Sequence, residues 1–355
     1  MMAVKKVFIA LSAILVWTAL PAVSANAVSI GQACPKATLG TRVSIRVNRK
    51  PVIVVCRNVA GRKKWIRAAV QTLATTTTST STTTSTIPEP AVNYSISVDS
   101  LDPTLHIIAI EGMQPRSFFL NVPASYQPSQ STPLLLALHS RTTDGREILR
   151  TSQFVAWAAE RNFIVAALNG AVHEGASSWN AGNCCTNATT YQENDLLFAS
   201  TVIDFVNSKY AVDQTRVWAS GHSNGGMMAY HLACDLSEKI TAIAVVAGAL
   251  MDDSCKPTKP VSMIHIHGNL DPTVPFIGGG KFETPNIYYS ALEFAKGNSC
   301  LSLPAESLSQ IKEKYIWECI NGYSSTLINF QEDTHEWVNG YSELLLDFLF
   351  AHPRK

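Results

Sequence analysis

Charged side chains are scarce in this chain of 355 residues, at 15% of the total, and the formal net charge is only +1. So small a net charge argues against a chain that binds nucleic acid along its whole length. Cysteine is also sparse, with eight residues, which is too few for a small scaffold built mainly from disulfides. Because 46% of the residues are hydrophobic, we expect a large buried core and exclude wholesale disorder.

Long apolar runs are missing as well, with one exception close to the first residue. The run from Val7 to Leu20 follows Lys5 and Lys6 and is followed by small residues up to Ala27. This run is shorter than the roughly 20 residues that a membrane-spanning helix needs. We therefore interpret residues 1–27 as a cleavable signal peptide. We expect a mature protein that is secreted, has no membrane span and can form disulfides.

Acidic residues are absent from residues 28–72, which contain ten basic residues. Alternating stretches at 42–47 and 52–55 predict short strands joined by a turn. Cys34 and Cys56 are expected to bridge this unit, because so few residues bury little surface without a covalent staple. We interpret the segment as a small basic β-rich module. Its basic face either attaches to an anionic cell-wall or polysaccharide surface or is simply solvated.

A linker separates this module from the rest of the chain. Residues 75–86 are an uninterrupted run of Ser and Thr, followed by a Pro-rich stretch. Such a composition cannot form a packed core, so residues 73–92 are predicted to be extended. The acidic residues lie almost entirely beyond the linker, and residues 93–355 are therefore net negative. The two parts are expected to be separate functional units.

Residues 93–355 alternate short apolar runs with longer helical patterns. Runs that are apolar at every position are typical of parallel strands covered on both faces. The pattern predicts an α/β fold, with a mostly parallel sheet and helices on both sides. The expected strands are 134–138, 163–167, 217–220, 243–246 and 263–266, and the expected helices are 154–161, 195–209, 226–236, 288–294 and 343–351.

The clearest chemical signal is the segment 221–225, with the sequence Gly-His-Ser-Asn-Gly. It directly follows an expected strand and directly precedes an apolar helical stretch. Glycines two positions to either side of a serine allow a strand to turn sharply into a helix and expose the hydroxyl. We therefore predict Ser223 to be a nucleophile. The alternative is a glycine-rich structural turn.

A serine nucleophile needs a base, and the base needs a carboxylate that fixes its tautomer. The expected order along the chain is serine, acid and histidine. Asp271 lies in a polar loop directly after an expected strand, and His335 lies in a polar loop before the last helix. We predict Asp271 to be the acid and His335 the base. The sequence also offers Asp252 or Asp253 as the acid and His265 or His267 as the base.

Two backbone N–H groups are needed to stabilise the tetrahedral intermediate. One normally belongs to the residue after the nucleophile, which is Asn224. The other comes from the loop after an earlier strand, where Ser140 follows His139. We predict an oxyanion hole formed by the N–H groups of Asn224 and Ser140, and a structural role for His139.

With these motifs, the chain from about residue 93 resembles the secreted α/β-hydrolase family that includes polyhydroxybutyrate depolymerases and the related feruloyl and acetylxylan esterases. The segments that carry the resemblance are 119–126, 136–139, 178–182 with Cys184 and Cys185, 221–234, 245–249, 265–268 and 271–275. The resemblance implies the same roles for Ser223, Asp271 and His335. It also implies a substrate-binding wall near Trp179, Asn180 and Trp337.

The chain departs from the family pattern at two loops. Ser140 and Arg141 stand where family members usually have glycine, and Asp333 and Thr334 replace glycines before the histidine. A side chain at position 140 is expected to narrow the pocket or to alter the donor geometry.

The other cysteines are interpreted as structural. Cys300 and Cys319 flank a polar insertion and are expected to pair. The sequence leaves open the three possible pairings among Cys184, Cys185, Cys234 and Cys255. A metal site at the adjacent pair is disfavoured by the oxidising compartment, and neither a metal nor a cofactor is expected.

The first functional hypothesis is a secreted serine ester hydrolase that acts through an acyl-enzyme on carboxylic esters, with a polymeric ester as its partner. Feruloyl or acetylxylan-type esters of polysaccharides are favoured over polyesters such as polyhydroxybutyrate. The hypothesis from a different class is a non-catalytic cell-wall or polysaccharide-binding protein with a degenerate hydrolase domain.

Overall fold

A computed structural model describes residues 42–47, 50–59, 62–67 and 92–355, except 183, 185, 186, 253, 302, 310 and 311. The expected signal peptide, residues 73–91 of the expected linker and Cys34 lie outside the described residues. The chain divides into two compact units, Met1–Thr86 and Ile87–Lys355. Within the described part, no helix is both long enough and apolar enough to cross a membrane.

The first unit contains an antiparallel sheet with the strand order β1-β2-β3. The strands are β1 (Arg42–Val47), β2 (Lys50–Val59) and β3 (Arg62–Arg67). The two strands predicted from alternation are therefore confirmed, and β2 is longer than expected. The third strand was not predicted, because its basic residues interrupt the apolar alternation. The bridge between Cys34 and Cys56 stays a prediction.

The second unit alternates strands and helices along most of its length. Its strands are β4 (Tyr94–Val98), β5 (Leu105–Ile110), β6 (Arg116–Asn121), β7 (Thr132–Leu138), β8 (Ile164–Leu168), β9 (Ala171–His173), β10 (Ala176–Ser178), β11 (Val212–His222), β12 (Ala242–Val246), β13 (Ser262–Gly268), β14 (Ala305–Leu308), β15 (Lys312–Glu318) and β16 (Ser324–Phe330). Its helices are α1 (Gly145–Ser152), α2 (Phe154–Arg161), α3 (Asn187–Thr190), α4 (Asp195–Lys209), α5 (Asn224–Asp235), α6 (Ile287–Gly297) and α7 (Tyr341–Ala351), with a short 3₁₀ turn at Ile320–Gly322.

One large sheet organises this unit, in the order β14-β15-β16-β13-β12-β11-β7-β8-β6-β5-β4. The central strands β8, β7, β11, β12, β13 and β16 are parallel neighbours. Every residue of β7, β8, β12 and β13 is buried, as expected for parallel strands covered on both faces. The predicted mostly parallel sheet is confirmed at its centre. The antiparallel strands on either flank were not predicted.

Helices cover both faces of the sheet and bury two separate apolar clusters. The larger cluster includes Phe198 of α4, Met228 of α5 and Phe294 of α6. The smaller cluster lies on the opposite face and includes Phe154 of α2 and Leu345 of α7. The α/β architecture with helices on both sides is therefore confirmed, and the polar loops emerge along the edges of the sheet.

Two disulfides stabilise the peripheral segments of the described region. Cys300 pairs with Cys319 across an antiparallel bridge, which confirms the prediction. Cys234, at the end of α5, pairs with Cys255. This pairing is one of those the sequence left open.

Candidate active site

The carboxyl ends of the parallel strands meet at one edge of the sheet, where loops in open α/β sheets carry functional groups. Ser140 follows β7, Ser223 follows β11, Asp271 follows β13 and His335 follows β16. Gly268, at the end of β13, lets the last two loops approach each other. A Cβ added at Gly268 would lie 2.3 Å from the carbonyl oxygen of Asp333.

The elbow around Ser223 has the strained geometry that the sequence predicts. Ser223 has φ 54° and ψ −121°, and residues with a Cβ rarely adopt a positive φ. A Cβ on Gly221 would come within 2.3 Å of Gly225, and one on Gly225 would lie 2.2 Å from the carbonyl oxygen of Leu138. Both glycines are therefore required for α5 to start directly against the end of β7.

The structure brings Ser223, Asp271 and His335 together from three separate loops. The Ser223 hydroxyl lies 2.9 Å from Nε2 of His335. On the other side of the ring, Nδ1 of His335 lies 2.6 Å from Oδ2 of Asp271. A carboxylate can only accept, so Nδ1 carries the proton and Nε2 is free to accept the serine proton.

Asp271 is held as a carboxylate by its loop. Its Oδ1 accepts hydrogen bonds from the backbone N–H groups of Thr273 and Val274, each at 2.8 Å. Its Oδ2 faces His335 and also lies 3.4 Å from Nε2 of His267. Burial by itself would raise the pKa of Asp271, but the hydrogen bonds from His267, His335 and Val274 outweigh burial and hold the pKa below its ordinary value.

Asp252, one of the two alternative acids, is bonded to its own loop and not to His335. The carboxylate of Asp252 accepts from the backbone N–H and the hydroxyl of Ser254, at 2.8 and 2.7 Å. Asp253 lies outside the described residues.

The alternative bases are fully buried and have both ring nitrogens engaged. Nε2 of His267 donates to the carbonyl oxygen of Val274 at 2.8 Å, so its Nδ1 accepts from Nε2 of His265 at 3.1 Å. Nδ1 of His265 then accepts from the Tyr230 hydroxyl at 2.9 Å. Burial, and next the neighbouring His267, lower the pKa of His265 well below its ordinary value. These histidines support Asp271 from behind and cannot reach the serine.

The expected oxyanion donors lie on either side of the elbow. Asn224 is the first residue of α5, where helix geometry leaves the backbone N–H without an intrahelical acceptor. Ser140 follows β7 and lines the same cavity as Ser223. Neither backbone N–H donates to another residue of the described part of the chain.

A second histidine links the loops of the site. The Ser140 hydroxyl donates to Nδ1 of His222 at 2.7 Å, and Nε2 of His222 donates to the carbonyl oxygen of His335 at 3.1 Å. Burial, and next the nearby imidazole of His335, lower the pKa of His222 to about 4. The neutral ring therefore connects the loop after β7 to the loop that carries His335. Ser140, which departs from the family pattern, supplies the hydroxyl for this link.

The Ser223 hydroxyl opens into a cavity of about 620 Å³. Phe282 and Trp337 give it aromatic walls, and charged side chains surround its mouth. The charged lining residues are Arg141, Glu147, Arg150 and Glu336. Trp337, which was expected to lie in a substrate-binding wall, lines this cavity.

The other two expected wall residues, Trp179 and Asn180, do not line this cavity. Trp179 is 1% exposed and packs against His139 with ring centroids 5.0 Å apart. Asn180 faces a separate, smaller cavity beside His231. The structure therefore does not place these two residues in the lining of the cavity, because the turn after β10 directs Trp179 into the core.

Sequence reasoning also missed the contacts of His222, His267 and Trp179. His222 was read only as part of the elbow, and His267 only as a rival base. The short spacing of His267 before Asp271 was an available signal that the two side chains share a loop.

Known esterases are similar in sequence to this chain. Residues 112–278 match the family model named Esterase. The chain is 30% identical over 207 residues to feruloyl esterase B of Piromyces equi, covering 54% of this chain and 37% of that protein. It is 30% identical over 169 residues to feruloyl esterase C of Emericella nidulans, covering 46% of this chain and 58% of that protein. The chain thus spans less than two thirds of these curated relatives.

Among solved structures, the acetyl xylan esterase from Aspergillus awamori superposes with a TM-score of 0.52 and 16% identity. The match covers 73% of this chain and 99% of that structure. At this level of identity the likeness establishes the fold and not the substrate.

Proposed function

We propose that this chain, in which residues 112–278 match the Esterase family model, is a serine hydrolase that cleaves carboxylic esters through an acyl-enzyme. The observation that carries the proposal is the position of the His335 ring, which lies 2.9 Å from the Ser223 hydroxyl and 2.6 Å from the Asp271 carboxylate. Those contacts give each of the three groups a defined chemical role.

In the proposed acylation step, the Ser223 oxygen attacks the ester carbonyl while Nε2 of His335 takes the serine proton. The ring then becomes an imidazolium, whose charge Asp271 stabilises without being protonated itself. The pKa of Asp271, held below its ordinary value by hydrogen bonds that outweigh the effect of burial, suits this role. The protonated His335 next delivers its proton to the departing alkoxide.

The tetrahedral intermediate carries a negative oxygen, for which the N–H groups of Asn224 and Ser140 are the proposed donors. Deacylation repeats the sequence with water in place of serine. His335 removes a proton from water, the acyl group leaves as a carboxylic acid, and Ser223 regains its proton.

We propose that the substrates are feruloyl or acetyl esters of a polysaccharide. The relatives named feruloyl esterase and the aromatic side chains of Phe282 and Trp337 in the cavity support an aromatic acyl group. Export through the segment 1–27 fits a polymer located outside the cell. Polyesters are the nearest alternative substrate class.

The test is hydrolysis of p-nitrophenyl acetate, methyl ferulate and acetylated xylan by the whole mature chain. Ser223→Ala and His335→Ala are expected to lower kcat by about 10⁴-fold or more, because members of such a triad act as a unit. Asp204→Asn is the matched control, since Asp204 lies on α4 and pairs with Lys239 at the surface.

Turnover by wild type and Asp204→Asn, with loss in both triad variants, supports the proposal. A folded wild type that hydrolyses none of the three esters contradicts it and favours the binding-protein hypothesis. Equal turnover by Ser223→Ala and wild type contradicts the role of the serine.

A further inference from the structure

Trp179 is buried behind the catalytic cavity, yet its polar groups contact both sides of the elbow. Its indole Nε1–H donates to the carbonyl oxygen of His139 at 2.9 Å. Its backbone N–H donates to Oδ1 of Asn224 at 2.8 Å, and its carbonyl accepts from Nδ2 of Asn224 at 3.3 Å. One residue is thus bonded to the residue before Ser140 and to the residue after Ser223.

The first contact fixes a donor through a shared peptide group. The carbonyl of His139 and the N–H of Ser140 belong to the same planar unit, and in a trans peptide they point in opposite directions. Holding the carbonyl toward Trp179 therefore directs the Ser140 N–H away from Trp179. Ser140 lines the catalytic cavity and Trp179 does not. A hydrogen bond to the carbonyl also polarises the peptide and strengthens the N–H as a donor.

The second contact fixes the other donor. The side-chain amide of Asn224 is bonded at both its oxygen and its nitrogen to the backbone of Trp179. Asn224 is 2% exposed, so water cannot replace these bonds without rearrangement. The start of α5, and with it the Asn224 N–H, is therefore tied to the same residue as the His139 carbonyl.

We propose that Trp179 is the positioning residue of the oxyanion hole, holding the Ser140 and Asn224 N–H groups at a fixed separation. This inference rests on the proposed function, and it adds a residue that touches neither the substrate nor the reacting atoms. Trp179 acts on the transition state only, because the donors it holds are needed when negative charge develops on the carbonyl oxygen.

Trp179→Phe removes the indole N–H and keeps an aromatic ring in the core. Loss of a whole oxyanion donor lowers kcat by about 10²–10³-fold in serine hydrolases. Misplacing the donors is expected to lower kcat less than removing one, by about 10- to 100-fold. KM is expected to stay within about threefold, because the ground state makes little use of the donors.

Trp317→Phe is the matched control. Trp317 is 0% exposed, and its indole nitrogen has no hydrogen-bond partner among the described residues. The same change in volume occurs there without loss of a hydrogen bond. This variant is expected to keep kcat within about twofold of wild type.

Affinity for phenylboronic acid supplies a readout that a purely structural role would not move. The boronate forms a tetrahedral anionic adduct with Ser223 and places an oxygen in the oxyanion hole. Trp179→Phe is expected to weaken its inhibition by the same factor as kcat. Far-ultraviolet circular dichroism and thermal unfolding verify that each variant is folded.

A second variant keeps the test decisive if Trp179→Phe does not fold. Asn224→Ala retains its own N–H but loses both bonds to Trp179, and it is expected to lower kcat and boronate affinity together. The inference is overturned if the folded variants keep wild-type kcat, or if kcat falls without loss of boronate affinity. It is also overturned if Trp317→Phe loses as much kcat and boronate affinity as Trp179→Phe. If wild type hydrolyses no ester, the proposed function fails, and boronate affinity across the same variants still decides the role of Trp179.

Discussion

Replacing Asp271 by asparagine tests the tautomer of His335, because the loop dictates which way the new amide lies. Oδ1 of Asp271 accepts two backbone N–H groups, from Thr273 and Val274, at 2.8 Å. Only the carbonyl oxygen of an asparagine can occupy that position, so its NH₂ group must take the place of Oδ2 and face Nδ1 of His335. Two donors cannot face each other, and the ring is forced to carry its proton on Nε2.

In that tautomer, His335 cannot accept the proton of Ser223. The expected loss is about 10⁴-fold in kcat, or roughly 5 kcal/mol of transition-state stabilisation. The assay is steady-state hydrolysis of p-nitrophenyl acetate by wild type and Asp271→Asn, with Asp204→Asn as the carboxylate-to-amide control. An Asp271→Asn variant that keeps more than about a tenth of wild-type kcat would refute the tautomer reasoning.

Two further predictions concern the loops that support the site. The lowered pKa of His222 contributes stability above its ordinary pKa of 6.5, and this contribution is lost as the pH falls from 6.5 through about 4. Thermal unfolding should therefore show a smaller acid-induced loss in His222→Asn than in wild type, and an identical pH dependence would contradict this. Gly225→Ala should lower both the melting temperature and kcat, because its Cβ would lie 2.2 Å from a carbonyl oxygen. In Gly226→Ala the nearest new contact is the side chain of Val245 at 3.0 Å, so this variant should lose less melting temperature and less kcat than Gly225→Ala. Equal losses in the two variants would count against the elbow geometry.

The centre of the fold could be predicted because its signals are local. Strands β7, β12 and β13 are buried at every residue. Strand β12 is an uninterrupted apolar run, and β7 and β13 contain the predicted strands 134–138 and 263–266. Helices α2 and α4 have the predicted bounds, Phe154–Arg161 and Asp195–Lys209. The elbow was recognisable because a tight strand-to-helix turn requires glycine at defined positions around Ser223.

The outer strands of the sheet and the contacts that support the site could not be predicted from the sequence, and the reason is physical. Strands β14 and β15 are largely exposed or half-buried, so no apolar periodicity distinguishes them from loops. Trp179 was placed in the site wall only because the family resemblance implied that position. Its actual partners, His139 and Asn224, are 40 and 45 residues away in sequence, and no local pattern encodes such pairs.

The neutral state of His222 also suits the proposed role of His335 as the base. Their ring centroids are 5.2 Å apart, and His335 must become positively charged while the ester is attacked. A second positive ring at that distance would oppose this charge by about 3 kcal/mol at an effective dielectric constant of about 20. Because burial first, and then His335, lower the pKa of His222 to about 4, the ring is uncharged near neutral pH. The imidazolium of His335 then contacts the carboxylate of Asp271 without a second positive ring beside it, and the bridge from Ser140 to the loop of His335 adds rigidity without adding charge.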